Sequence, residues 1–123
     1  MESKTNACCC NGRTPFVIAC SGACDLGEIA DKVARKLSTE GIRKMHCLAV
    51  VGAGIEKPTL ELKNSDLLVI DGCMLDCAQK IVEKAEFDCY SRLRVSDLGY
   101  EKYNTPVNNE VITEVYQLAA TMI

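Results

Sequence analysis

Leu67-Leu-Val-Ile-Asp-Gly-Cys-Met-Leu-Asp-Cys-Ala-Gln-Lys-Ile-Val-Glu-Lys-Ala85 decides the fold. Four aliphatic residues in a row read as a strand, Asp71-Gly72 is a turn signal, and from Leu75 to Ala85 apolar residues recur at helical spacing. Strand, turn and helix form the repeating unit of a parallel α/β sheet. Here the unit carries two cysteines, Cys73 and Cys77, at its junction. A second copy lies upstream, where Phe16-Val-Ile-Ala-Cys20 leads into Ser21-Gly-Ala-Cys24. A helical stripe of Ile29, Ala30, Val33, Ala34 and Leu37 then follows.

Working outward from these two copies, the first helix is expected from Leu26 to Leu37, with Asp25 as its cap and Gly41 as its stop. Met45 to Val51 reads as a second strand, Ile55 to Asn64 as a loop with at most a short helix, and Phe87 to Val95 as a fourth strand. Gly52 and Gly54 lack the full G-x-G-x-x-G spacing of a dinucleotide fingerprint. Asp97 to Pro106 reads as a surface loop. The last helix carries Val107, Val111, Val115, Leu118, Ala119 and Met122 on one face. The alternation predicts an α/β fold, a three-layer domain with a mostly parallel sheet of Rossmann-like or flavodoxin-like kind. Ligands of such folds gather at the carboxyl ends of the strands, the edge on which Cys20, Cys24, Cys73 and Cys77 are expected. Residues 1–14 read as a flexible tail ahead of a single domain over residues 15–123, with Cys8, Cys9 and Cys10 open between incidental thiols and an accessory-ligand or metal-capture role.

The 123 residues suffice for one hydrophobic core. A net charge of −3, with 14 basic residues scattered among 17 acidic ones, offers no clustered positive surface for nucleic acid. No stretch approaches the roughly 18 apolar residues of a membrane span, and no basic-then-apolar leader opens the chain. The expectation is a cytoplasmic protein without a membrane or nucleic-acid partner. Nine cysteines are an odd count for a fully paired disulfide framework and point to metal or thiol chemistry.

A cysteine at a strand end and another four residues later, on the first helical turn, can face one point. Two such pairs on neighbouring strands supply the tetrahedron that zinc requires, at about 2.3 Å from each sulfur. Helix amino termini favour the thiolate form of such residues. The reading is one zinc ion held by Cys20, Cys24, Cys73 and Cys77, in metal handling, sensing or partner binding. Cys47 is open between an extra, exchanging ligand and a small buried hydrophobe, whereas His46 and Cys89 read as packing residues. An iron–sulfur centre also accepts four thiolates. A thiol-dependent redox or sulfur-transfer role would use Cys24, Cys77 and the surplus Cys47, with Asp71 and Asp76 as proton acceptors. No Ser/His/Asp set is legible, and the single histidine, His46, is placed on a strand.

Ile70-Asp-Gly-Cys-Met-Leu-Asp-Cys77 together with Cys20-Ser-Gly-Ala-Cys24, Cys47-Leu-Ala, the glycines at Gly52 and Gly54, and Ala78 resembles the DGC-domain family of zinc-binding proteins. The resemblance implies zinc chelation by four cysteines, matched here to Cys20, Cys24, Cys73 and Cys77. Met74 stands where many relatives are expected to carry proline. The family brings with it no established reaction.

Overall fold

The computed structural model describes residues 12–20 and 22–122. In chain order the elements are β1 (Pro15–Ala19), α1 (Asp25–Thr39), β2 (Lys44–Met45), α2 (Leu48–Gly52), α3 (Glu56–Lys63), β3 (Asp66–Asp71), α4 (Cys77–Lys84), β4 (Ser91–Arg94), a 3₁₀ turn (Val95–Leu98) and α5 (Asn109–Ala120). The four strands form one parallel sheet in the order β2-β1-β3-β4, so the protein is α/β with an all-parallel sheet, as the alternation predicts. All of β3 is buried, and Val17 and Ile18 of β1 lie opposite its Leu68 and Val69. A strand covered on both faces can be apolar throughout.

From β1 the chain steps one way to β2 and then back across β1 to β3. Because parallel crossovers are right-handed, this reversal sends helices to opposite faces of the sheet. Thus α1 packs on β1, β2 and β3 and is backed by α5, while α3 and α4 contact β3, with α2 against both of them. On α1, Leu26, Ile29, Ala30, Val33, Ala34 and Leu37 are fully buried. Each large aliphatic side chain so buried contributes about 1.5–3 kcal/mol. The point of reversal lies between β1 and β3, and there the carboxyl ends of two adjacent strands part to leave a crevice.

Several elements depart from the sequence expectation. The second strand ends at Met45, not Val51, and Leu48–Gly52 is helical. With Met45 opposite Val17, a longer strand would bring Cys47 level with Ala19, the last residue of β1. Leu48 to Val51 would then have no partner, and the chain folds instead against α4, where Gly52 faces Ile81. The loop expected from Ile55 contains the two-turn helix α3. The fourth strand covers only Ser91–Arg94, and α4 begins at Cys77 rather than near Leu75. Helix α1 is capped by Cys24, whose sulfur accepts from Gly27 N, while Asp25 is the first helical residue. Gly41 does close the helix, at φ +76°, where glycine is favoured. Residues 1–11 of the expected tail, including Cys8, Cys9 and Cys10, lie outside the described residues.

Candidate metal centre

Four cysteines from the two strand–loop–helix junctions line one cavity of about 250 Å³ in the crevice between β1 and β3: Cys20, Cys24, Cys73 and Cys77. Cys20 follows β1 directly, Cys24 caps α1, Cys73 lies two residues beyond β3, and Cys77 opens α4. They grade from buried Cys20 through half-buried Cys24 and Cys73 to exposed Cys77. Among the described residues no three His, Cys, Asp or Glu side chains are gathered closely enough to share one ion. Soft sulfur donors in one cavity fit zinc by their chemistry, in a wider arrangement than a closed tetrahedron.

Glycine allows the two junctions to meet. A Cβ on Gly72 would lie 2.6 Å from Gly27 N and from the Leu26 carbonyl carbon and oxygen, so the end of β3 rests directly on the first turn of α1. A Cβ on Gly27 would in turn meet Gly22 Cα at 2.9 Å. Across this backbone contact Gly72 N donates to the Cys20 sulfur at 3.1 Å, and Gly27 N donates to the Cys24 sulfur at 3.4 Å.

Acidic residues fix the loop between Cys73 and Cys77. Asp71 is fully buried, and its carboxylate accepts from Ala78 N at 2.8 Å and Gln79 N at 3.0 Å, so it serves the amino end of α4 from the end of β3. Burial raises its pKa above the ordinary value, against those two N–H donors. Asp76 adopts a left-handed conformation at φ 54°. Its carboxylate is gripped from β4 by Arg92 and by Arg94, the latter at 2.9 and 3.0 Å. Burial pushes the Cys20 thiol up to about 12; the Gly72 N–H opposes this, and the charges of Asp71, Cys77 and Cys73 add to it.

The sequence reading missed the wall contributed by the loop after the 3₁₀ turn. Lys102 and Tyr103 line the cavity beside the four thiols. Desolvation would lower the pKa of the Lys102 ammonium, but the charges of Cys73, Tyr103 and Cys24 raise it. Asp25 secures this loop by accepting from Tyr103 N at 2.8 Å and Thr105 N at 3.0 Å. Against a desolvation cost, these donors and Leu26 N hold the Asp25 carboxyl below its ordinary pKa. A lysine in a polar surface loop carries no sequence signal for such a position.

Cys47 is exposed and precedes α2; it lines a separate cavity with His46, Asp31 and Arg35. The His46 ring lies 6.0 Å from that of Phe16, its Nδ1 accepts from Cys47 N at 2.8 Å, and Cys89 is buried. No helix among the described residues is long and apolar enough to cross a membrane.

The family described as the DGC domain matches residues 16–119. The chain is also similar to the anaerobic and virulence modulator AnvM of Pseudomonas aeruginosa, with 28% identity over 89 residues that cover 72% of this chain and 68% of that protein. No solved structure matches. The matched span contains both strand–loop–helix junctions and every wall of the thiol cavity, and the chain belongs to the DGC-domain family.

Proposed function

We propose that this chain is a zinc-binding protein in which Cys20, Cys24, Cys73 and Cys77 hold one ion. One observation carries the reading: two Cys-x-x-x-Cys pairs, far apart in sequence, line a single cavity at the switch point of the sheet. The thiols would close around the ion from their present wider spacing. Binding displaces thiol protons, so a buried cysteine such as Cys20 is a ligand only when the cation takes its proton's place. Soft donors favour zinc over magnesium or calcium. The name of the relative, a modulator, favours sensing or partner binding over catalysis for this chain as well.

Elemental analysis of protein purified without added metal tests this directly, and stoichiometric zinc is expected. Chelator should lower the melting temperature of the wild type, because metal binding energy is then folding energy. Cys73→Ala should melt lower and respond less to chelator. Only trace zinc, with equal melts throughout, overturns the reading.

A second reading has its own support. Cys24 caps α1 and Cys77 opens α4, so both thiols stand at helix amino termini beside the crevice. A sulfur-transfer or redox role would use these two cysteines. Trapping a persulfide or mixed disulfide at Cys24 or Cys77 would support it, and visible absorption bands would identify an iron–sulfur centre instead.

A further inference from the structure

A larger cavity, about 630 Å³, adjoins the thiol cavity and shares Cys73, Leu75 and Lys102 with it. Its floor is apolar, with Met74 78% and Leu75 56% exposed. Its charges are unevenly engaged. Arg94 is taken up by Asp76 and by Asp97, the latter at 3.0 Å, and Glu101 accepts from Asn104 Nδ2 at 3.1 Å. The Lys102 ammonium lies over the Tyr103 ring, 5.2 Å from its centre, and among the described residues no carboxylate lies within ion-pair distance of it. The wall also holds Ser96, whose Oγ is buried and without a hydrogen-bond partner.

We propose that this cavity binds a small carboxylate-bearing molecule, its carboxylate against the Lys102 ammonium and its apolar body over Met74 and Leu75, beside the Cys73 sulfur. The site stands whether or not the thiols hold zinc, since it is built from Lys102 and the apolar floor. It makes Cys73 the thiol that meets an incoming anion first.

The test uses the full chain, reduced and treated with chelator, at a temperature below the melt of the chelated protein, where circular dichroism establishes that it is folded. Cys73 is alkylated by iodoacetate or by neutral iodoacetamide, and labelling is read residue by residue by mass spectrometry. In each reaction the thiolate sulfur bonds to carbon, iodide leaves and the thiol proton goes to water. An effect of Lys102 on thiol ionisation alters both reagents alike, so their ratio isolates attraction of the carboxylate. At Cys73 the iodoacetate-to-iodoacetamide ratio should exceed that of N-acetylcysteine by about threefold, the scale of one exposed charge pair. Lys102→Met should return the ratio to the free-thiol value, while Lys102→Arg and a distant control, Lys57→Met, should retain it. Succinate should slow labelling of Cys73 in the wild type and not in Lys102→Met. A wild-type ratio equal to that of N-acetylcysteine, a raised ratio that survives Lys102→Met, or no protection by succinate would overturn the proposal. None of these outcomes depends on the zinc analysis.

Discussion

Gly72 is the residue that decides whether the two cysteine pairs can share a cavity. Its missing side chain lets β3 end against the backbone of Leu26 and Gly27, and a Cβ there would come within 2.6 Å of three backbone atoms. Backbone cannot rotate aside as a flexible side chain can, so the junctions would have to separate. Gly72→Ala is therefore expected to lower stability by about 1–3 kcal/mol, read as a shift in the urea midpoint with unchanged slope. Asp76, at φ 54°, illustrates the converse case. The left-handed region is tolerated by aspartate, and the two arginines of β4 hold the residue there. The glycine was legible in the sequence as a turn signal; its role as a contact surface was not, because Leu26 and Gly27 meet it only through the tertiary fold.

At the scale of elements, the segment from Tyr100 to Thr105 is tied down at both ends. Asp25 holds Tyr103 and Thr105, while the Tyr100 hydroxyl donates to the Glu114 carboxylate on α5. That hydrogen bond, with burial and the nearby carboxylate charges adding to it, pushes the Tyr100 phenol up to about 12, from an ordinary value of 10.0. A group whose pKa is raised by folding stabilises the fold fully below its unfolded pKa. The contribution of the Tyr100–Glu114 pair should thus be complete below about pH 10 and be lost as pH rises towards about 12. Melting curves of wild type and Tyr100→Phe should differ at neutral pH and converge at the alkaline end. Spectrophotometric titration should show one fewer late-ionising tyrosine in the variant. The sequence predicted a loop here from Gly99, its tyrosines and Asn104, but nothing local indicates which side chains it lays over a distant cavity. The second strand was misread for a related reason. Leu48, Ala49, Val50 and Val51 are apolar enough for either state, and the length of β1, which determines how far β2 can pair, lies elsewhere in the chain.

Taken whole, the molecule is fastened at both ends of its sheet by different means. At the amino ends of the strands, Arg43, only 3% exposed, donates to the carbonyls of Phe16 at 3.1 Å, Asp66 at 2.8 Å and Met122 at 2.7 Å. It also meets the Asp66 carboxylate at 3.4 Å. One guanidinium thus joins β1, β3 and the chain after α5. Arg43→Met would leave these acceptors unpaired, and a loss of about 3 kcal/mol is expected on denaturant unfolding. The alternation of strands and helices was legible because it rests on local periodicity. The clamp was not, since a lone arginine in a polar stretch has no periodic signature. At the carboxyl ends the fastening is the contact of Gly72 with Gly27, and both amides are donated to sulfur, of Cys20 and Cys24 respectively. With no side chain between them, neither backbone segment can lift without breaking the shared contact. In hydrogen exchange the two glycine amides should therefore report a single opening event, and their common rate would time how often the thiol cavity parts.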